Sequence, residues 1–104
     1  MRLEGLKCIV TGGASGIGAA TVRRFVREGA SVCILDRDLV SAEALAKECG
    51  GETFALELDV REEPGVARVA EAVLSRWDVV DVLVNNAGSE LNKTYDQTLS
   101  LIHI

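Results

Sequence analysis

The chain has 104 residues, 48% of them hydrophobic, which suffices for one small domain with a core. Its formal net charge is −5 and its basic residues are scattered, so a broad nucleic-acid-binding surface is not expected. The apolar runs are far too short to span a membrane, and residues 1–5 contain an acid and no apolar leader. We therefore expect a cytoplasmic protein with neither nucleic acid nor a membrane as its partner.

The three cysteines Cys8, Cys33 and Cys49 form no C-x-x-C pair and no metal-ligand spacing. Cys8 and Cys33 fall within apolar, strand-like runs, where a free cysteine behaves as a small core residue. No basic neighbour is evident that would lower a thiol pKa. A structural role is favoured over a redox or nucleophilic one, and no metal site is expected.

The first predicted elements are a buried strand over residues 6–11 and a helix over residues 16–28, which Gly29 ends as a C-cap. Three spaced glycines span the end of the strand and the first turn of the helix. Gly12 permits a tight turn, Gly16 removes a Cβ where a ligand would approach, and Gly18 lets the helix lie close to the strand. The inner side of this helix is predicted to consist of Ile17, Ala19, Ala20, Thr21, Val22 and Phe25.

The rest of the chain repeats this alternation. A strand at 31–35 ends at Asp36, a helix follows near 38–49, and a third strand covers 53–58. A third helix begins with Glu62, Glu63 and Pro64. Its apolar stripe is Val66, Val69, Ala70, Val73, Leu74 and Trp77. The fourth strand is predicted at 79–84.

Alternating strands and helices with nearly continuous apolar strands are typical of a parallel sheet covered on both faces. Right-handed crossovers in a doubly wound pattern then give the strand order 3-2-1-4. The predicted fold class is therefore α/β, the N-terminal half of a Rossmann-type doubly wound sheet.

The polar residues that follow the four strands are predicted to converge on one edge of this sheet. The glycine loop follows the first strand, Asp36 ends the second, Asp59 follows the third and Asn86 follows the fourth. Ligands of open parallel sheets bind at the carboxyl ends of the strands, where the strand order reverses. The backbone amides of the loop and the helix N-terminus suit a pyrophosphate there.

Asp36 lies 18 positions after Gly18, near the spacing expected of an acid that binds ribose hydroxyls. A carboxylate accepts hydrogen bonds from a ribose diol and repels a 2′-phosphate, so NAD is preferred over NADP. The adjacent Arg37 softens that preference if it pairs with a phosphate. The alternative role of Asp36, a helix N-cap, is better served by Asp38.

Other residues of this edge keep two interpretations. Ser15 can face a phosphate and also cap the helix, since both roles place it at the same helix end. Asp59 is either a turn residue or an adenine contact, and Asn86 is either a turn former or part of the cofactor lining. The predicted cofactor-binding residues are Gly12, Ser15, Gly16, Ile17, Gly18, Asp36, Arg37, Asp59, Val60, Asn86, Ala87 and Gly88.

The glycine loop, Asp36, the Asp59–Val60 pair and the Asn-Asn-Ala-Gly run at 85–88 together resemble the short-chain dehydrogenase/reductase family over residues 1–88. The resemblance implies hydride transfer between a nicotinamide cofactor and an alcohol or carbonyl carbon. It also implies that the Asn-Asn-Ala-Gly run braces the central strand and borders the cofactor. Two departures are mild: Trp77-Asp78 replaces a glycine-rich turn, and Cys8 replaces a common aliphatic residue.

The family's catalytic serine and Tyr-x-x-x-Lys pair cannot be carried over to this sequence. The sole tyrosine is Tyr95, and Leu99 stands four positions after it. We therefore assign no catalytic residue, and His103 is expected to be solvated. The second half of the fold, with its substrate loop and dimer contact, is expected to be absent, although the parent protein is expected to be a homo-oligomer.

Residues 1–88 are thus predicted to form a half-domain and residues 89–104 a short tail. Residues 99–104 can be encoded by the end sequence of a DNA-library transposase adapter, and we hypothesise that they are translated adapter. The alternative is a genuine divergent tail. The underlying nucleotides decide between them.

Two functions follow as expectations. The first is an NAD(P)-dependent oxidoreductase of small alcohols or ketones, represented by a fragment that is inactive alone. The second is a non-catalytic NAD(H)-binding module. A P-loop NTPase is disfavoured because no Gly-Lys-Ser/Thr follows the glycines.

Overall fold

A computed structural model describes residues 3–14, 16–58 and 63–86. Four strands alternate with three helices in these ranges: β1 (Lys7–Thr11), α1 (Gly16–Arg27), β2 (Ser31–Asp36), α2 (Leu39–Cys49), β3 (Thr53–Glu57), α3 (Glu63–Arg76) and β4 (Val82–Asn85). The strands form one sheet in the order β3-β2-β1-β4, and every pairing is parallel. The predicted α/β class and the 3-2-1-4 strand order are both confirmed.

Each face of the sheet carries its own apolar cluster. Val32 and Ile34 of β2 pack with Val22 of α1 and Ala42 of α2. The alternate β2 residues belong to the opposite cluster, which consists of Ile9, Cys33, Leu35, Leu58, Val69, Val73, Trp77 and Val80. Because side chains alternate between the faces of a strand, α1 and α2 cover one side of the sheet and α3 covers the other.

The inner side of α1 differs from the prediction. Ile17 is 77% exposed and Ala20 is also exposed, whereas Gly18, Ala19 and Val22 are buried. The helix lies so close to the preceding loop that a Cβ on Gly18 would overlap the carbonyl oxygen of Gly12. With Gly18 turned inward, the residue one position earlier on the helix points outward.

The other two helices agree with the predictions at the described positions, with one exception. Asp38 is the N-cap of α2, as expected, and its carboxylate accepts a hydrogen bond from the backbone N–H of Ser41 at 3.1 Å. In α3 the residues Val69, Ala70 and Val73 are buried, and so is Trp77 just beyond the helix. Leu74 was predicted to belong to this stripe, but it is 44% exposed. Glu62 and the side chain of Val66 lie outside the described residues.

The fourth strand begins later than predicted, at Val82 rather than Val79. Asp81 donates its N–H to the carbonyl oxygen of Lys7 at 2.8 Å, and its carboxylate accepts the N–H of Lys7 at 2.7 Å. Because the side chain of Asp81 takes the N–H of Lys7, the regular pairing starts one residue further on, with Cys8 opposite Val82.

Cys8 and Cys33 are fully buried in the two clusters, as predicted. Burial is the main cause that raises the pKa of Cys8 to about 11, and the nearby Asp81 adds to it. Burial likewise raises the pKa of Cys33 to about 12. Both thiols are therefore protonated at neutral pH, which fits a structural role.

Within the residues described, no helix combines the length and the apolar character needed to cross a membrane.

Candidate functional site

The loop between β1 and α1 is shaped by two glycines with positive φ. Gly12 has a φ of +63°, and its N–H donates to the carbonyl oxygen of Leu35 at 2.7 Å. Gly16 has a φ of +56°, and no described atom lies within 4 Å of where its Cβ would be. The loop therefore follows a path that favours glycine and leaves open space at the start of α1.

Gly18 lies in crowded surroundings, in contrast to Gly16. An added Cβ would overlap the Gly12 carbonyl oxygen and lie 2.9 Å from Nδ2 of Asn86. Only a residue without a side chain lets the first turn of α1 approach the loop this closely. This is the close approach that the glycine spacing predicts.

The N-terminus of α1 offers backbone N–H groups and the positive end of the helix dipole. The first turn of α1 contains no acidic residue, whereas Arg24 and Arg27 occupy its last turn. No carboxylate in the first turn of α1 would therefore compete with a bound anion for the free N–H groups. The arrangement suits a phosphate.

Asp36, at the carboxyl end of β2, faces the same loop. Its Oδ2 accepts the N–H of Ala14 at 3.0 Å, and its Oδ1 accepts the N–H of Asp38 at 2.9 Å. Asp38, not Asp36, caps α2. The N-cap interpretation of Asp36 is therefore excluded, and its half-buried carboxylate lies beside the glycine loop.

A hydrogen-bonded group joins the carboxyl ends of β1 and β4. The buried hydroxyl of Thr11 accepts the N–H of Asn86 at 2.9 Å and donates to the carbonyl oxygen of Val84 at 3.3 Å. The Asn86 side chain donates to the carbonyl oxygen of Gly12 at 3.3 Å. Asn86 thus braces the central strands, as the family resemblance implies.

The sequence interpretation did not assign a role to Thr11 or to Glu57. Thr11 could have been singled out as a polar residue that ends an apolar strand opposite an asparagine. Glu57 pairs in register with Asp36, so both side chains project from the same face of the sheet. No pattern in the sequence gives that register in advance.

The described part of the site unites Gly12, Gly16, Gly18, Asp36 and Asn86 at one edge of the sheet. Arg37 is exposed beside Asp36, and Ile17 is exposed at the start of α1. The remaining predicted site residues lie outside the described residues: Ser15, Asp59, Val60, Ala87 and Gly88. The same holds for the tail at 89–104, including Tyr95 and His103.

The chemistry of this edge fits a dinucleotide. Backbone N–H groups and a positive helix end bind phosphate oxygens, and a carboxylate accepts hydrogen bonds from hydroxyl groups. The open space at Gly16 leaves room for a ligand to approach the backbone.

The chain belongs to the short chain dehydrogenase family, whose sequence model matches residues 7–101. This match extends beyond the 1–88 range on which the motifs lie. Short chain dehydrogenases are oxidoreductases, and the fold and the site of this chain resemble those of that class of protein.

Among its relatives, the sorbitol dehydrogenase of Cereibacter sphaeroides is 45% identical over 87 residues, which are 84% of this chain and 34% of the relative. The 3-oxoacyl-[acyl-carrier-protein] reductase FabG of Thermotoga maritima is 42% identical over 91 residues, 85% of this chain and 37% of the relative. This chain therefore spans about a third of the length of these curated relatives.

Two similar solved structures contain a nicotinamide cofactor according to their descriptions. The Pseudomonas aeruginosa RhlG/NADP active-site complex has a TM-score of 0.87 and 29% identity, and the alignment covers 94% of this chain and 46% of that one. The Brucella melitensis 3-ketoacyl-(acyl-carrier-protein) reductase complexed with NADH has a TM-score of 0.76 and 40% identity, covering 79% of this chain and 34% of that one.

Proposed function

We propose that this chain is the cofactor-binding part of an NAD-dependent short-chain dehydrogenase/reductase that acts on a small alcohol or ketone. The observation that carries the proposal is the position of Asp36. Its carboxylate lies against the glycine loop, at the N-terminal end of the helix that would receive the phosphates. An acceptor for hydroxyl groups and a cradle for phosphates thus lie side by side.

Each group has a separate task in this proposal. The amides at the start of α1 and in the loop bind the pyrophosphate, and Gly16 leaves space for it. Asp36 accepts the ribose hydroxyls, while Thr11 and Asn86 hold the strand ends that shape the loop. The bound cofactor supplies the hydride acceptor or donor. Ser15, Ile17, Asp59, Val60, Ala87 and Gly88 remain proposed contacts.

The preference for NAD rests on charge. Asp36 repels a 2′-phosphate, and Glu57 adds a second carboxylate on the same face of the sheet. Arg37 is exposed and can pair with a phosphate, which weakens the preference without reversing it. The similar structures include both an NADP and an NADH complex, so the cofactor preference of this chain is argued from its own residues.

The test is calorimetric titration of the folded 104-residue chain with NADH and with NADPH. We expect NADH to bind on the order of tenfold more tightly, which is the effect of one charge-assisted hydrogen-bond pair. Tighter binding of NADPH would overturn the NAD preference. A folded chain that binds neither cofactor saturably would overturn the proposed function.

No turnover is expected from a polypeptide of these 104 residues, because Leu99 stands four positions after Tyr95 and no Tyr-x-x-x-Lys pair is present. A dehydrogenase assay with a panel of alcohols checks this, and measurable NADH formation would contradict it. A cytoplasmic location and a homo-oligomeric parent stay predictions.

The second candidate, a non-catalytic NAD(H)-binding module, predicts the same binding. The two candidates differ in what the gene is expected to encode beyond codon 98. An in-frame Tyr-x-x-x-Lys pair there supports the enzyme, and a stop codon supports the module. The enzyme is favoured because the chain belongs to the short chain dehydrogenase family and its relatives include a dehydrogenase and a reductase.

A further inference from the structure

Both carboxylate oxygens of Asp36 accept hydrogen bonds from backbone N–H groups. Oδ2 accepts the N–H of Ala14 in the glycine loop, and Oδ1 accepts the N–H of Asp38 at the start of α2. These two amides belong to different connections of the sheet, one after β1 and one after β2. A single side chain therefore ties the glycine loop to the next strand–helix junction.

Both bonds are charge-assisted, at 3.0 and 2.9 Å. Hydrogen bonds to an ionised acceptor are stronger than neutral ones, and the bond from Ala14 is also partly buried, whereas the bond from Asp38 is exposed. The path of the loop on either side of Ala14 depends on Gly12 and Gly16, which both have a positive φ. Asp36 is thus well placed to set the shape of the loop.

We propose that Asp36 is a positioning residue for the phosphate-binding loop in addition to its role as ribose acceptor. A carboxylate offers about four lone-pair sites, two on each oxygen. One site on each oxygen is occupied by Ala14 or Asp38, and one on each remains for a ribose hydroxyl. The diol can therefore bind without breaking either backbone contact, and recognition of the ribose and of the pyrophosphate is coupled through one side chain. The coupling rests on the proposed function, whereas the loop contact does not.

Asparagine cannot replace Asp36 in this role. Its amide oxygen can accept from one of the two N–H groups, but its NH₂ group cannot accept from the other. Alanine accepts from neither. Because Asp36→Asn and Asp36→Ala remove the same charge, the difference between them isolates the loss of the acceptor.

The first measurement is hydrogen exchange of the Ala14 amide by NMR in the cofactor-free chain. We expect exchange to be on the order of tenfold faster in Asp36→Ala than in the unmodified chain, with Asp36→Asn between them. The amide of Gly12 donates to Leu35 rather than to Asp36, so it is expected to keep its protection and serves as the internal control. Equal Ala14 exchange in all three proteins would overturn the inference.

The matched control is Asp38→Asn. It removes the same charge two residues away, keeps a good N-cap, and leaves both acceptors of Asp36 in place. Ala14 exchange is expected to stay at the unmodified rate in this variant. If Asp36→Ala does not fold, Asp36→Asn is compared with Asp38→Asn at the two amides that Asp36 binds, those of residues 14 and 38. Faster exchange of either amide in Asp36→Asn supports the inference, and equal exchange of both overturns it.

The second measurement is titration with inorganic pyrophosphate, which has no ribose, followed by ³¹P NMR. A purely ribose-binding Asp36 predicts equal affinity for Asp36→Ala and Asp36→Asn. A positioning Asp36 predicts that Asp36→Ala binds pyrophosphate several-fold more weakly than the charge-matched Asp36→Asn. Equal affinities, or tighter binding by Asp36→Ala, would overturn the coupling.

These outcomes are separable from those of the proposed function. Unmodified chain that binds NADH, combined with unchanged Ala14 exchange in Asp36→Ala, refutes the positioning role and leaves the proposed function intact. Faster exchange in a chain that never binds NADH supports the loop contact and refutes the proposed function.

Discussion

Gly18 shows how one residue can set the geometry of a binding edge. Its neighbours are the carbonyl of Gly12 and the side chain of Asn86, which is itself bound to that carbonyl. At Gly18 three parts of the site come into contact: the glycine loop, the first turn of α1 and the end of β4. They can do so because Gly18 has no side chain.

We expect Gly18→Ala to be destabilising despite the better helix propensity of alanine. Overpacking against the backbone costs about 3 kcal/mol, whereas the propensity gain is about 1 kcal/mol, so the free energy of unfolding should fall by about 2 kcal/mol. Urea unfolding followed by circular dichroism measures the change. NADH affinity should fall as well, because the loop must move.

The control is Ala20→Gly, at an exposed position of the same helix. It should lower stability by about 1 kcal/mol through propensity alone and leave NADH affinity unchanged. Gly18→Ala as stable as the unmodified chain would contradict the argument.

Asp38, the N-cap of α2, is expected to make the free energy of unfolding depend on pH. The hydroxyl and then the backbone N–H of Ser41 lower the pKa of the Asp38 carboxyl, because both donate to its ionised form. A lowered folded-state pKa means that this stabilisation is fully present above the ordinary Asp pKa of 3.8 and is lost as pH falls through the folded value.

Thermal unfolding as a function of pH, compared between the unmodified chain and Asp38→Asn, tests this dependence. Asparagine caps the helix without titrating, so the difference in Tm between the two proteins should change only in the acidic range. A difference that stays constant from neutral pH into that range would show that the cap does not titrate as argued.

Individual side chains were the least predictable part of the site. Ile17 fits a helical apolar pattern, yet the pattern gives spacing and not the absolute rotation of the helix. That rotation depends on which residue has no side chain to clash, and here it is Gly18. The N-cap Asp38 was predictable because its contact to Ser41 is local.

At the scale of elements, the pairing of β2 with β3 adds a charge to the candidate site. Asp36 and Glu57 are opposite each other, and neighbouring strands lie about 4.8 Å apart. Glu57 is exposed, so its effect on a bound phosphate is electrostatic and depends on salt.

We predict that Glu57→Gln raises NADPH affinity relative to NADH on the order of twofold to threefold at low ionic strength. The matched control is Glu52→Gln, which removes the same charge about 17 Å away, just before the start of β3, and should leave the ratio unchanged. Calorimetric titration of both variants at low and high salt measures the ratio. An equal change in the two variants would show that only net charge matters.

The existence and order of the elements followed from local patterns, because apolar runs, glycines and caps lie within a few residues of one another. The start of β4 did not. It depends on Asp81 binding Lys7, a contact between residues far apart in the chain, which no local pattern contains. The register that places Glu57 beside Asp36 is of the same kind.

At the scale of the whole molecule, the sheet separates two apolar clusters, and each contains one fully buried cysteine. Cys8 and Cys33 reach solvent only when the packing of their own side of the sheet opens. Cys49 is only half-buried at the end of α2, so its thiol is more accessible than the other two. Burial, and then the nearby Glu48, raise its pKa.

We therefore expect a thiol reagent at mildly alkaline pH to modify Cys49 first, with Cys8 and Cys33 reacting at the much slower rate of unfolding. Mass spectrometry of the labelled peptides gives the order. The variant Cys49→Ser should show only the slow phase, and denaturant should make all the cysteines react quickly. Rapid labelling of Cys8 in the folded chain would contradict the described packing.

The single tryptophan lies on the α3 side of the sheet. Trp77 is 5% exposed and meets the ring of Phe54 edge-on at 5.2 Å, while the Arg76 guanidinium lies 4.0 Å from the Phe54 ring centre. The candidate site lies at the N-terminal ends of α1 and α2, which cover the other side. A substitution at the site does not touch the surroundings of Trp77 directly, so tryptophan emission reports on folding and not on the substitution itself. Because β2 contributes side chains to the apolar clusters on both sides of the sheet, a variant that loses its ligand while this emission stays constant has been altered at the site and has kept its fold.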